Sequence, residues 1–347
     1  MTRLVLTLAA ILTASSCGTP DYLSDPPNRL SSYGLFANDG VSQQPVYGVV
    51  PYKVNSQLFT DYAYKRRFIK LPGSKPAIYD PIKTFEMPVG TIIAKTFSYP
   101  RDMRDLSLGE RLVETRLMIH GQDGWGGLTY IWNFRQNDAF LEVAGHDVIA
   151  SWVDQDGNVM VNDYQIPNTN QCKQCHLMDG KMVPIGIRAR HLNRDHAYET
   201  GSENQLVHWS RKGMLTGAPP SAKDAPKLAD YADPASGTVD ERARAWIEKN
   251  CAHCHTQGAQ AWNTGLDLMA SQSDSSLFGV HKSPTAAGRG TGGRQYDVVP
   301  GEPARSILMF RIESTEPDVA MPELGRTLVH KEGAELVRQW IAGMGER

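Results

Sequence analysis

The chain has 347 residues, which is long enough for two or three compact units, and 41% of them are hydrophobic, so a packed core is expected. The formal net charge of −2 at pH 7 is close to neutral. This balance excludes the strong positive charge that is typical of proteins binding nucleic acid or an anionic membrane surface.

Residues 1–17 are predicted to form a secretory signal. Arg3 supplies a positive charge, an apolar run follows from Leu4 to Leu12, and small residues continue to Ser16. The apolar run is too short to span a bilayer, and no later segment has about 18 uninterrupted apolar residues. No transmembrane helix is therefore predicted.

Cys17 ends the stretch Ala14-Ser15-Ser16-Cys17, which resembles a bacterial lipoprotein box, although a leucine is more usual where Ala14 stands. The alternative is an ordinary cleaved signal that leaves an unused cysteine. We expect lipidation of Cys17, because this cysteine has no other evident use. The protein is then expected in the periplasm or cell envelope, held to a membrane by the lipid, with residues 18–39 as a tether.

Residues 40–165 have the pattern of a β-rich domain. Apolar and β-branched residues alternate in at least five short segments, and turn residues separate them. Asp156-Gly157 lies between the last two segments and is a strong signal for a hairpin. The predicted strands are Val89–Ser98, Arg111–His120, Leu128–Phe134, Val148–Val153 and Val159–Tyr164. An antiparallel β sandwich or barrel is expected.

Two Cys-x-x-Cys-His motifs follow this domain, and this pattern is the attachment signal for c-type haem. Two thiols three positions apart on a helical turn can each add to one vinyl group of the porphyrin, and the next histidine can bind the iron. The alternatives are redox-active dithiols or a zinc site made from both cysteine pairs. The 76 positions between the pairs exceed the usual zinc spacing, and neither alternative explains both histidines. The predicted haem residues are Cys172, Cys175, His176, Cys251, Cys254 and His255.

Met321 is predicted to be the second axial ligand of the iron at His255. It precedes Pro322, in a loop that ends at Gly325, and it lies 66 positions after His255. The alternative is a buried core methionine, which is the commoner role of this residue. A methionine followed by proline fits a helical core poorly, so ligation is the preferred interpretation.

The second axial ligand of the first haem stays open. Met178 and Met182 are so close to His176 that they would have to pass around the porphyrin edge at once. More distant candidates exist, each of which is individually more typical of a surface or core residue. A five-coordinate first haem is a further alternative. The more distant candidates are His191, His196, His208, Met214, His120 and His146.

The expected fold class is an α+β multidomain protein, in which the β sandwich or barrel precedes a mainly α-helical, cytochrome c-type haem region. Residues 166–216 form the first haem-binding segment, with one helix predicted between Glu203 and Gly213. Residues 217–237 are rich in proline and glycine and are predicted as a linker. Residues 238–347 are predicted as a cytochrome c-like domain, which begins with a Thr238–Glu241 capping box and ends with a helix from about Lys331.

Several stretches resemble a family of poorly characterised bacterial di-haem c-type cytochromes with a β-rich N-terminal region. The C-terminal 110 residues also resemble class I cytochrome c domains, including those that accompany quinoprotein dehydrogenases. The resemblance implies two covalently bound haems and the same attachment and axial residues, and it implies no definite reaction. The stretches are Ile166–His176, Pro184-Ile185-Gly186, Leu192-Asn193, Leu58–Ala63, Arg67–Pro72 and Glu114–Leu117.

The expected function is electron transfer in the bacterial cell envelope, with a redox protein as partner and no nucleic acid. The alternative is an enzyme, most plausibly a di-haem peroxidase with an open position at the first iron; its known members carry no long β domain before the first motif. A third hypothesis makes the β domain a binding module with an aromatic platform of Trp125, Tyr130 and Trp132, although part of this cluster is expected in the core.

Overall fold

The computed structural model describes residues 21–38, 40–73 and 75–345. The predicted signal and Cys17 lie outside these residues, as do the first residues of the tether. None of the described helices combines the length and the apolar character needed to cross a membrane.

The centre of the molecule is one open antiparallel sheet of six strands. Its strand order is β1-β2-β4-β5-β6-β7, and the central strand β4 is almost entirely buried because other strands flank it and chain packs on both its faces. The three predicted strands that fall in this sheet are confirmed to within four residues. The first strands are β1 (Val49–Tyr52), β2 (Tyr64–Lys70), β3 (Ala77–Ile78), β4 (Ile92–Pro100), β5 (Glu110–Gly121), β6 (Gly124–Trp132) and β7 (Ala139–Glu142).

One face of the sheet is covered by the N-terminal residues of the described chain. Leu30, Tyr33 and Leu35 pack there against the sheet, and Tyr130 and Trp132 belong to the same core. Because Tyr130 is fully buried and Trp132 nearly so, they cannot form the exposed aromatic platform. The expectation that part of this aromatic cluster lies in the core is confirmed.

Strands β8 (His146–Val153) and β9 (Val159–Ile166) form a separate two-stranded hairpin. Gly157 at its tip has φ 88°, a conformation that glycine adopts without strain, and the predicted hairpin is confirmed. Trp152 and Tyr164 of the hairpin pack on Phe97 and Tyr99 of the sheet. The hairpin is too small to be the second layer of a sandwich, and the six-stranded sheet does not close on itself. The predicted sandwich or barrel is therefore wrong.

The first motif segment (residues 166–216) packs on the opposite face of the sheet. Ile187, Leu192 and Trp209 share a core with Ile69 and Ile93 of the sheet. The segment also adds backbone pairing, since β14 runs parallel to β3. Its elements are α1 (Thr169–His176), β10 (Leu177–Met178), β11 (Lys181–Met182), α2 (Ala189–Leu192), β12 (Asp195–Tyr198), β13 (Gly201–Asn204), α3 (Gln205–Arg211) and β14 (Leu215–Thr216).

The C-terminal unit (residues 238–345) is not mainly helical, which corrects the predicted fold class. Its helices α4 (Val239–Ile247), α5 (Ile307–Ile312) and α6 (Lys331–Ala342) have nine, six and twelve residues. The Thr238–Glu241 capping box and the terminal helix are confirmed, and α4 packs on α6. Between residues 253 and 306 the chain forms turns, short 3-10 segments and isolated β-bridges, because glycine, proline and serine interrupt the apolar runs there. The molecule as a whole is dominated by its β-sheet.

The loop between β1 and β2 fixes the C-terminal unit to the sheet. The buried carboxylate of Asp61 accepts hydrogen bonds from the backbone amides of Thr327 and Leu328, each at 2.8 Å. The ring of Phe59 stacks on His330 with 4.3 Å between ring centroids. These contacts set the distance between the sheet and the chain that follows the second motif.

Candidate functional site

The first motif lies on the short helix α1. Asn168 and Gln171 form a capping box at its N-terminus, which starts the helix immediately before Cys172. The helix then brings Cys172, Cys175 and His176 to one cavity between the sheet and the C-terminal unit. The two thiols and the histidine of the motif thus lie on one helical turn and line one cavity, as the spacing of the motif predicts.

His176 is oriented by a hydrogen bond between its Nδ1 and the carbonyl oxygen of Val183, 2.8 Å away. This contact fixes the tautomer and leaves Nε2 for another partner, as is usual for a metal-ligating histidine. Burial lowers the pKa of His176 to about 4, so the imidazole is neutral near pH 7. A neutral, anchored imidazole is the form that binds iron.

The first cavity has a volume of about 1580 Å³ when the space at its open mouth is included. Its walls come from the sheet, from the first motif segment and from the C-terminal unit. Methionine, lysine, arginine and histidine side chains face it besides the motif, among them Arg67, Lys95, Met182, Lys249, His253 and His330.

The second motif follows α4 through a π-helical turn, Glu248–Ala252. The buried carboxylate of Glu248 holds this turn. It accepts a hydrogen bond from the backbone amide of Ala270. It accepts a second one from His191 in the tautomer that carries its proton on Nε2. His255 lies just beyond the turn with its Nδ1 3.1 Å from the hydroxyl of Thr264. Burial lowers the pKa of His255 to about 4, so this imidazole is neutral as well.

Cys251, Cys254 and His255 line a second cavity of about 1290 Å³, again with its open mouth included. Met321 lines the same cavity, although 66 positions separate it from His255 in the chain. The structure therefore places Met321 in one cavity with His255, and Met321 also lines the first cavity together with His176. The remaining walls are mostly apolar and include Leu266, Leu268, Phe278, Ile307 and Leu308.

The loop that carries Met321 is held by Arg326. The guanidinium of Arg326 donates hydrogen bonds to four backbone carbonyl groups, including that of Met321 at 2.7 Å and that of Ser314 at 2.9 Å. Arg326 is partly buried, so these bonds are sheltered from water. Arg326 is accordingly a positioning residue for Met321.

We expect Arg326→Gln to destabilise the fold by roughly 2–4 kcal/mol, because an amide cannot replace the five donors of a guanidinium. If Met321 binds iron, the variant should also lose part of its methionine–iron absorption as temperature rises, well before global unfolding. Thermal melts followed at the haem bands and by far-UV circular dichroism measure both effects. Arg305→Gln is the matched control, since Arg305 is exposed and pairs only with Glu302 at the surface. Equal behaviour of the two variants would contradict the assigned role.

The two motifs meet in space. Ligand atoms of Cys175, His253 and Cys254 all lie within 4.8 Å of one another. The Cys254 thiol also lies 3.3 Å from the carbonyl oxygen of Gln174, and the Asp179 amide donates to Gly258 at 2.8 Å. The hydrogen bond between the two thiols lowers the pKa of Cys175 and raises that of Cys254.

A structural zinc ion would need four ligands, whereas this cluster offers three among the described residues. A metal there would also leave Cys172, His176, Cys251 and His255 without a role, each of which lines a cavity. Two groups attached through separate motifs account for all of them. The residues present therefore fit two c-type haems better than one zinc ion.

The six distant candidates for the second axial ligand at the first motif all lie outside the first cavity. Two of them form hydrogen bonds with carboxylates, His191 with Glu248 and His208 with Glu203. Two contact aromatic rings, His196 that of Tyr198 and His120 that of Trp125. Met214 packs in the core of the first motif segment, and His146 is exposed on β8. The structure does not bring them to His176.

Sequence reasoning missed several side chains of the first cavity. Lys95 and Lys249 look like ordinary surface lysines in sequence, and only the fold brings them inside. His253 had a visible signal, since it lies within the second motif, and its Nδ1 is buried without a hydrogen-bond partner in the described chain. Met182, set aside because of its proximity to His176, also lines this cavity.

No family model, no curated protein and no solved structure matches the chain.

Proposed function

We propose that this chain is a di-haem c-type cytochrome that transfers electrons in the bacterial cell envelope. The observation that supports the proposal is the placement of the two Cys-x-x-Cys-His motifs. Each motif lines a cavity, the two cavities share a wall that includes Cys175 and Met321, and the two motifs touch at Cys175 and Cys254.

The side chains of both motifs have matching roles in this proposal. Cys172 and Cys175 attach one haem, and Cys251 and Cys254 attach the other. His176 and His255 present Nε2, because hydrogen bonds hold their Nδ1 atoms. Met321 binds from the wall of the second cavity. Each bound haem would supply an iron centre that gains or loses one electron.

Transfer between the two haems is favoured by the contact between the motifs. Cys175 and Cys254 lie side by side, so groups held by the two motifs would be attached at neighbouring thiols. Apolar side chains make up much of the wall of both cavities, which lowers the reorganisation that accompanies a change of charge. The arrangement suits an electron relay.

The proposed location is the periplasm or the cell envelope. It is supported by the signal-like segment before Ser16 and by Cys17 in its lipoprotein-like context. The proposed partner is a redox protein of the same compartment, and the near-neutral charge gives no support for nucleic acid as a partner.

The test is the haem content and spin state of the purified holoprotein. We expect two covalent haems per chain, counted by mass spectrometry and by the pyridine haemochrome spectrum, and two low-spin signals in electron paramagnetic resonance. A high-spin first haem that reacts with hydrogen peroxide would replace the carrier by a peroxidase. A protein that matures with bound zinc and no covalent haem would refute the proposal.

A further inference from the structure

Three basic side chains lie next to one another on the sheet face that lines the first cavity. In the register of the sheet, Arg67 of β2 is opposite Lys95 of β4, and Lys95 is opposite Arg116 of β5. All three line the cavity. Like charges directly opposite each other destabilise a sheet, so this basic row needs an explanation.

The charges of the row are only partly compensated within the described chain. Arg116 forms an ion pair with the buried Glu114 at 2.6 Å. Arg67 and Lys95 have no carboxylate within ion-pair distance among residues 21–38, 40–73 and 75–345, and Arg67 is 7% exposed. Lys249 faces the same cavity from the C-terminal unit and is equally without an ion-pair partner there.

Burial and the neighbouring positive charges act in the same direction on these groups. They lower the pKa of Lys95 well below its usual value and that of Lys249 to about 7. Burying a cation without a counter-ion is costly, and cations are rarely buried unless they are paired. The cavity is therefore built to receive negative charge.

The adjacent part of the same sheet face is apolar. Ile93, Met118 and Gly127 are opposite one another on β4, β5 and β6, one row away from the basic side chains. Cys172 lies against Gly127: a Cβ atom at that glycine would be 3.6 Å from the Cβ of Cys172. The thiol edge of the cavity is thus beside β6, and the basic row extends toward β2.

The spacing of the strands sets the distance between these two ends. Neighbouring strands are roughly 4.8 Å apart, so β4 and β2 lie about 10 and 14 Å from β6. This is comparable with the width of a porphyrin between its vinyl edge and its carboxylate edge. A flat apolar ring with thioether links at one edge and two carboxylates at the other matches the cavity in polarity as well as in extent.

We propose that Arg67 and Lys95, together with Lys249, bind the two propionate carboxylates of the haem attached at Cys172 and Cys175. The proposal rests on the proposed function. It assigns the basic row to the cofactor because the apolar surface beside it and the thiols beyond it belong to the same cavity. A free inorganic anion would use the cations and leave the apolar part without a role.

The test compares Lys95→Met, Arg67→Met and the charge-conserving Lys95→Arg in the purified holoprotein. Removing a cation near the first haem destabilises its reduced form relative to wild type, so its reduction potential should shift downward while that of the second haem stays unchanged. The propionate bending band in resonance Raman spectra should shift to lower frequency with it. Lys95→Arg should behave like wild type. Lys70→Met is the matched control, since Lys70 is on β2 and bonds the carbonyl of Tyr33 away from the cavity.

Other outcomes separate the alternatives. Unchanged potentials and an unchanged propionate band in both methionine variants would overturn the proposal while leaving the haem count intact. A second outcome would assign the basic row to a free anion and also overturn the proposal. In that case the reduction potential of the wild type would shift on addition of inorganic phosphate or nitrite, and the propionate band would stay unchanged in the variants. Absence of covalent haem from wild type would refute the proposed function itself. If Lys95→Met does not fold, Arg67→Met and Lys95→Arg still give the comparison.

Discussion

Replacement of Met321 by alanine is expected to abolish the methionine-to-iron charge-transfer band at the red end of the oxidised spectrum. Met321 shares the second cavity with His255, and no other methionine lines that cavity in the described chain. A thioether ligand stabilises reduced iron, so its loss should also lower the reduction potential of the second haem. Optical spectra and a potentiometric titration of the purified variant measure both changes.

Met344→Ala serves as the control for that variant. Met344 packs against the core of the C-terminal unit but lines neither cavity, so its truncation perturbs packing without touching the proposed ligand. An unchanged charge-transfer band in Met321→Ala would show that another side chain binds the iron at His255.

Replacement of both Cys172 and Cys175 by serine is expected to halve the covalent haem content. Serine cannot form the thioether bond, whereas the second motif keeps both of its thiols and His255. We expect one haem per chain by mass, half the haemochrome absorbance of wild type, and retention of the methionine–iron band. The reciprocal variant, Cys251→Ser with Cys254→Ser, should keep one haem and lose that band.

The pair of variants also tests whether the two sites are independent. Full haem content in either variant would mean that the altered motif is not an attachment site. Loss of both haems from both variants, with folded protein by circular dichroism, would mean that neither site matures alone.

The strands of the sheet were predictable because local patterns determine them. Alternation in β5 and the Asp156-Gly157 turn between β8 and β9 are signals that lie within a few residues of each other. The same holds for the capping box at Thr238, whose two hydrogen bonds are local. What the patterns could not give was how many strands share one sheet, since that depends on pairings between distant segments.

The helical character of the C-terminal part was overestimated for a physical reason. Apolar residues of α4 and α6 have helical spacing, and they suggested a helical unit on both sides of the motif. The chain between them packs Leu268, Phe278 and Val298 into the same core from turns and loops. Burial of an apolar side chain does not require a helix, and spacing over a few residues cannot distinguish the two cases.

Some residues of the candidate site were likewise predictable from local sequence, and others were not. Its motif residues and Met321 could be named from the sequence because their chemistry is tied to residue type and spacing. The basic row could not, because Arg67, Lys95 and Arg116 become neighbours only through strand register. His191 shows the converse case, since it looked available as a ligand until the structure placed it on the buried Glu248.

The walls of the first cavity come from three parts of the chain that are synthesised one after another. The sheet and the first motif precede the C-terminal unit, which contributes Lys249, His253 and His330 and closes the space between them. During secretion the N-terminal part leaves the translocation channel first. Docking of the C-terminal unit narrows the way into the first cavity, so under the proposed function we expect the first haem to be attached before the second half of the chain folds onto it. Attachment would then proceed in the order of synthesis, and Asp61, which holds Thr327 and Leu328 against the sheet, would complete the closure.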